Sequence, residues 1–392
     1  MIKFVHTADW HLGRPFHSIQ KLDSRHRLRQ YRLDAVANIG KVARDEGARF
    51  IAVAGDLFDS PTPTRETVAE ALGALGALGL PVHVIPGNHD HGGPGGPWQA
   101  DHLLRERDRL APNLVAHEKG EPVEVEGVIL LPAPLGRRHE TGDPTQWIRE
   151  IRFEDLSPDL PRVVLAHGSI ASFSGAQDLD DPLRGVPNRV SLDRLPMEDL
   201  DYVALGDWHG THKAGDKAWY AGTPEPDRFP KGEEYSSGNV LVVTVQRGHL
   251  PEVQRADTGI IRWQEAELSV SGDAQVGDLL KDLDALSGDR VQKDVIRVAV
   301  KGFLGFSARQ QVEERLDDLL ARLLQIDWDL SGLHLQPTDE ELGDLAERPE
   351  DPVLSTVAAE LLRKLQHGDD PAVALALQRL YTYVTTYVTE EA

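Results

Sequence analysis

A chain of 392 residues with 40% apolar content is long enough for two or more cores. The absence of cysteine excludes disulfides, zinc–thiolate sites and cysteine nucleophiles, so a metal would have to be held by His, Asp, Glu or Asn. A formal charge of −22 argues against a freestanding binder of polyanions, and −13 of it falls in residues 260–392.

No run approaches the ~18 consecutive apolar residues of a membrane span. The start, "MIKFVHTADW", lacks the basic and apolar regions of a signal peptide. A soluble, cytoplasmic protein is the expectation, with no membrane partner.

Up to about residue 262, apolar β-type runs alternate with helical patterns. In order come "IKFVHTA", a helix through "LRQYRLDAVANIGKVARDEG", "FIAVAG", a helix "RETVAEALGALGALG" and "PVHVIPG". A Gly/Pro-rich loop follows, then "PVEVEGVILLPAP", "RVVLAHG", "DYVALG" and "NVLVVTVQRG". This pattern predicts a layered α/β domain with a mixed sheet or sandwich over residues 1–262. The segment 14–49 within it carries nine Lys and Arg against four Asp and Glu.

A second strand–helix–strand–helix–strand series predicts a small α/β domain over 263–337. An acidic linker over 338–352 then leads to a helical pair over 353–392 that is apolar enough to need a partner surface.

Five β-type runs end in polar clusters: Asp9-Trp10-His11, Asp56, Asn88-His89-Asp90, His167 and Asp207-Trp208-His209. In α/β sheets ligands sit beyond the carboxyl ends of strands, so all five can meet at one edge. Any one cluster alone reads as a turn, a helix cap or an ordinary histidine. Together they offer the carboxylates, imidazoles and amide that two divalent cations about 3.5–4 Å apart require. Side-chain alternation along an extended segment would put the Asp and His of each Asp-Trp-His on one face, with the Trp turned away.

The ordered set "DWH … GDLFD … GNHD … HG … GDWH" resembles the calcineurin-like metallophosphoesterases, most of all their DNA-repair exonuclease branch of the SbcD type. The resemblance covers residues 1 to about 255, including "YAGTPEPDRF". It implies a metallophosphoesterase sandwich, with a smaller α/β capping domain and C-terminal helices matched only by layout. By position it implies that Asp9, His11 and His209 hold one metal, that Asn88, His167 and Asp207 hold the second, and that Asp56 bridges them. His89 would stabilise the transition state or protonate the leaving oxygen, and Asp90 would orient its ring.

Position 207 departs from the family pattern, which most often has His-x-His where this chain has Asp-x-His. A carboxylate is a harder ligand, which favours Mn²⁺, with Mg²⁺ as the alternative, over zinc. Arg14 and Lys21, in the loop before the first helix, are candidate substrate contacts, and the basic segment behind them is either a backbone-tracking groove or a solvated helix face.

The leading expectation is a two-metal DNA nuclease acting in repair, as a double-strand exonuclease and a hairpin or single-strand endonuclease, with an SMC-like ATPase of the SbcC type. A homodimer is left open. The alternatives are a small-substrate phosphodiesterase or phosphatase, since the same metal core serves many phosphoesters, and a partner-binding scaffold whose metal site Asp207 has weakened.

Overall fold

The computed structural model describes residues 1–170, 187–230, 232, 235–336, 338, 341, 351–367 and 371–383. The chain divides into two compact units, Met1–Trp263 and Gln264–Ala392.

In the first unit the elements run β1 (Ile2–Thr7), α1 (Leu22–Asp45), β2 (Ile51–Val53), α2 (Arg65–Gly76), β3 (Val82–Val84), α3 (Asp101–Leu110) and β4 (Leu114–Ala116). They continue through β5 (Val123–Val125), β6 (Val128–Ala133), β7 (Arg162–His167), β8 (Ser169–Ile170), β9 (Arg189–Val190) and β10 (Tyr202–Gly206). Four strands follow: β11 (His212–Lys213), β12 (Ala218–Tyr220), β13 (Asn239–Val245) and β14 (Glu252–Asp257).

Two six-stranded sheets result, in the orders β14-β13-β1-β2-β3-β4 and β11-β12-β10-β7-β6-β5. The central pairs β1–β2, β2–β3, β7–β10 and β6–β7 are parallel. Antiparallel strands close three of the four edges, through β13–β14, β5–β6 and β11–β12, while β4 joins β3 in parallel.

Alternate residues of these strands feed different cores, which is why the strands read as unbroken apolar runs. Phe4 and Ala52 of the first sheet pack with Leu130, Val163, Leu165 and Tyr202 of the second. Val5, Val53, Val82 and Val84 face the other way, against Val36 and Ile39 of α1, Leu72 of α2 and Leu103 of α3. Ile129, Val164, Val203 and Leu205 line the outer face of the second sheet against Ile148, Leu195 and Leu200. Each fully buried side chain of this kind contributes about 1.5–3 kcal/mol. The layering therefore presents the carboxyl ends of β1, β2, β3, β7 and β10 along one rim.

The helices carry local reasons for where they start and which face they bury. Thr64 caps α2 by accepting from the Thr67 backbone N–H at 3.1 Å. In α1, Leu28, Arg32, Ala35, Ile39 and Ala43 recur at helical spacing on the buried face. Arg32 is the exception among them, a cation inside that stripe.

The second unit holds β15 (Arg262–Ser271, whose first two residues belong to the first unit), α4 (Val276–Ser287), β16 (Asp294–Leu304), α5 (Phe306–Arg322), β17 (Gln325–Asp329) and β18 (Leu333–Leu335). Its sheet has the order β15-β16-β17, with β18 paired to β16. Leu279 and Leu283 of α4 and Val312, Leu316 and Leu319 of α5 pack on Ile296, Val298 and Val300 of β16.

Helices α6 (Pro352–His367) and α7 (Pro371–Tyr383) add a satellite core of Phe306, Ala358, Leu377 and Tyr381. They leave Val353, Val357 and Leu375 exposed. Most of the acidic segment 338–352 lies outside the described residues.

Candidate metal centre

The polar clusters that follow β1, β2, β3, β7 and β10 converge. His11 Nε2 lies 3.1 Å from His209 Nε2 and 3.7 Å from Asp56 Oδ2. His167 Nε2 lies 3.5 Å from the same Asp56 oxygen, 2.7 Å from Asn88 Oδ1 and 3.9 Å from Asp207 Oδ1. Asp9 Oδ1 is 4.0 Å from His167 Nδ1 and accepts the Asp207 backbone N–H at 3.1 Å. Asp56 thus stands between a group containing His11 and His209 and a group containing His167, Asn88 and Asp207. Three sets of donors can each converge on a cation: Asp9, His11 and His209; His11, Asp56 and His89; and Asp9, Asp56 and His167.

The backbone is shaped for this convergence. Asp9, His11 and Asp56 adopt positive φ of 56°, 42° and 55°, and Asp207 has φ of 102°. Such strained conformations cost energy and cluster at functional sites. They also correct the alternation argument: Asp9 and His11 lie past the end of β1 at Thr7, and left-handed turns, not strand pleating, aim their side chains. Trp10 does turn away, into the core beside α1 and α2.

Two glycines allow the close approaches. A Cβ on Gly55 would sit 2.3 Å from the His167 ring, and one on Gly87 would sit 2.2 Å from Asp56 Oδ1.

A model of the calcineurin-like phosphoesterases matches residues 2–211, more than half of the chain. The chain belongs to that family. As a calcineurin-like phosphoesterase it is a metal-dependent hydrolase. It is 28% identical over 300 residues to the SbcD subunit of the nuclease SbcCD from Bacillus subtilis (strain 168), covering 68% of this chain and 73% of that protein, which supports the SbcD-type branch. A solved Thermus thermophilus protein, TT1561, aligns at 16% identity over 66% of this chain and 99% of its own, with a TM-score of 0.38.

The donor set of this phosphoesterase fits divalent cations on its own chemistry. Burial pushes the Asp9 carboxyl up to about 8, with Asp56 and Asp207 adding to the rise and His167 opposing it. Burial likewise holds Asp56 well above the usual carboxylate range, with Asp90 reinforcing it. Buried carboxylates crowded in this way are neutralised either by a proton or by a cation placed among them. Burial lowers His11 strongly, helped by His209 and His89, and lowers His209 against the pull of Asp227. Both rings are then neutral near pH 7, the form that ligates metals.

Hydrogen-bond bookkeeping points the same way. His167 Nδ1 donates to the Ala54 carbonyl at 2.8 Å, so its Nε2 faces Asn88 Oδ1 as a lone pair. Asp227 Oδ1 and Arg228 Nη2 flank His209 Nδ1 at 3.2 and 2.9 Å, which directs its Nε2 towards His11 Nε2. The two acceptors opposed in this way at His167 and Asn88 are resolved by a cation.

Residues beyond the motifs support the centre. Asp227, completely buried, holds the His209 ring, and the pair has the carboxylate–histidine form that fixes a ligand's tautomer. Burial alone would raise Asp227, but His209, Arg32 and Arg228 outweigh it and hold the carboxyl well below its ordinary value. Arg32 reaches from α1 to the carbonyls of Trp10 and Asp9 at 2.8 and 3.2 Å. The basic stretch 14–49 is therefore in part internal scaffolding. Asp227 sits inside the quoted "YAGTPEPDRF", yet no spacing rule ties it to a histidine 18 residues earlier.

The remaining expected site residues fall as follows. His89 packs edge-on against the His11 ring at 4.7 Å between centroids and is half-exposed. Its ring is oriented by the Asp59 carbonyl, 2.8 Å from Nδ1. This corrects the role expected of Asp90. The Asp90 carboxylate is instead buried and accepts the backbone N–H groups of Gly87, Leu57 and Phe58 at 2.8, 2.9 and 3.1 Å. It ties the Asn88-His89 loop to the Asp56 loop.

Arg14 is engaged by Asp59 and Asp227 at 3.4 and 3.2 Å. Lys21 stands exposed at the N-terminus of α1. His6 is a core residue, 3.0 Å from the Tyr202 hydroxyl, and burial lowers it to about 3.

Proposed function

We propose that this phosphoesterase is a two-metal DNA nuclease that hydrolyses phosphodiesters in DNA repair. The observation that carries the reading is the convergence of seven donors from five strand ends, with His89 beside them. Similarity to a nuclease subunit supports DNA as the substrate over a small phosphoester.

In this reading Asp9, His11 and His209 hold one cation, Asn88, His167 and Asp207 hold the other, and Asp56 lies between. When bound, the cations supply Lewis-acid activation of the phosphoryl group and of water. Mn²⁺ is the preferred ion and Mg²⁺ the second choice, because four of the donor side chains present oxygen.

The protein's own groups do the rest. His89, with Nδ1–H donated to the Asp59 carbonyl, acts in its doubly protonated form, giving the Nε2 proton to the departing oxygen and leaving the neutral Nδ1–H ring. Asp90 keeps that loop in register with Asp56. Asp227 holds the His209 ring in place, and the Ala54 carbonyl fixes the tautomer of His167. Arg14, held beside the centre by Asp59 and Asp227, and the exposed Lys21 serve as phosphate contacts in this reading.

The exposed apolar residues Val353, Val357 and Leu375 on α6 and α7 support docking to an SMC-like ATPase partner, whose surface would offset this chain's acidity. None of the described helices is long and apolar enough to cross a membrane, in keeping with work in the cytoplasm.

The test is cleavage of linear duplex, hairpin and single-stranded DNA beside bis-p-nitrophenyl phosphate, with Mn²⁺, Mg²⁺ or chelator. His89→Ala is expected to slow cleavage by about 10²–10⁴-fold with metal content unchanged. Metal-dependent hydrolysis of the small ester alone would sink the nuclease reading, and no activity on any substrate would favour a scaffold.

A further inference from the structure

Asp207 raises a specific question, because a carboxylate stands where the family most often has an imidazole. An imidazole offers one donor atom per face, whereas a carboxylate offers two oxygens and can swing between one- and two-oxygen binding. Left free beside Asp9 and Asp56, it would also add a mobile negative charge to an already acidic centre.

The structure restrains it. The Ser169 hydroxyl donates to Asp207 Oδ2 at 2.7 Å, while Oδ1 is the oxygen turned towards His167 Nε2, 3.9 Å away. The Asp207 backbone N–H is committed to the Asp9 carboxylate, so both main chain and side chain of this residue are held.

Ser169 is itself fixed. Its backbone N–H donates to the Asn188 carbonyl at 3.1 Å, and β8 pairs with β9 at Ser169 and Arg189. The preceding Gly168 carbonyl accepts the Tyr220 hydroxyl at 2.8 Å. The hydroxyl therefore approaches Asp207 from a backbone anchored on two sides, two residues beyond His167.

We propose that Ser169 is a positioning residue that makes Asp207 a single-oxygen ligand, so that the Asp207–Ser169 pair takes the place of an imidazole at the second cation. This rests on the two-cation reading above. Ser169 touches neither cation nor substrate; it acts through Asp207 alone. Occupying Oδ2 with a donated hydrogen bond leaves Oδ1 as the ligand, and it spreads part of the negative charge away from the centre. A hard oxygen donor presented singly favours Mn²⁺, and partners of metal-bound carboxylates typically govern affinity by about 10–100-fold.

The experiment uses the full chain and Mn²⁺ alone. Calorimetric titration and Mn²⁺ electron paramagnetic resonance count the ions and report whether they are coupled as a pair. Ser169→Ala is expected to weaken the second Mn²⁺ by about 10–100-fold and to lose the coupled-pair signature, with the first ion and the metal-free melting temperature unchanged. Ser169→Thr, which keeps the hydroxyl, should restore both. In an Asp207→His background, Ser169→Ala should have no further effect on the second ion.

Unchanged binding of the second ion in Ser169→Ala would overturn the proposal. So would an equal loss in the Asp207→His background, or a parallel loss of both ions with a fall in metal-free melting temperature. A wild type that takes up a single Mn²⁺ would overturn both this assignment and the two-cation reading. A wild type that takes up two but cleaves no DNA would remove only the nuclease reading.

Discussion

Asp9-Trp10-His11 and Asp207-Trp208-His209 are the same tripeptide at the ends of two strands in different sheets, and their surroundings differ at every position. Asp9 is completely buried among carboxylates, whereas the Asp207 side chain is 28% exposed and tied to Ser169. Trp10 is inside the core under α1 and α2, with Nε1 donating to Thr7. Trp208 is only partly buried and meets Tyr235 edge-on. The two histidines meet at their Nε2 atoms, but His209 is braced by the buried Asp227 while His11 Nδ1 lies 3.3 Å from Asp59 off the bonding direction. Identical local sequence therefore does not mean identical duty.

The largest contrast is electrostatic. Asp9 keeps its proton to about pH 8 in the folded metal-free protein, against 3.8 for an ordinary carboxyl. Between those values the unfolded chain carries fewer protons than the folded one, so stability falls as pH rises through that window. The melting temperature of metal-free protein should decline from pH 5 to 8, and Asp9→Asn should flatten the decline. Saturating Mn²⁺ should raise the melting point most at the alkaline end. A metal-free melting temperature that rises with pH over this range would contradict the burial of Asp9 as a charged liability.

The tryptophans differ next. Trp10→Ala should cost about 3–5 kcal/mol, as expected for emptying a large core position. Trp208→Ala should cost clearly less, read by denaturant unfolding of the metal-free chain. Equal losses would mean that the two tripeptides are structurally equivalent after all.

The histidine braces give the smallest effect. Asp227→Asn should weaken the cation at Asp9, His11 and His209 by about 10–100-fold and leave the His167 side unaffected, measured by Mn²⁺ titration. A matching loss on both sides would place Asp227 as general scaffolding.

Most of the fold's logic is legible in the sequence because fully buried parallel strands write themselves as unbroken apolar runs, such as "VILLPA" and "RVVLAH". The rim is legible too, because each of those runs stops at a polar cluster. The aim of the side chains is not. Positive φ at Asp9, His11 and Asp56 is a property of turns held by tertiary packing, and period-two reasoning misses it. Asp90 looks like a ring-orienting partner for its neighbour His89 but satisfies three backbone donors from two loops.

The sequence by itself determined the donor types, their order along the chain and their attachment to strand ends, because composition and local periodicity encode those directly. Only the tertiary structure decided which Asp-Trp-His is buried and which is braced. Only there do Asp227, Arg32 and Ser169 join the centre, and Asp56 stand between the two groups of ligands. The reason is physical: desolvation and hydrogen-bond partners depend on neighbours 18 to about 200 residues away, and no local pattern records them.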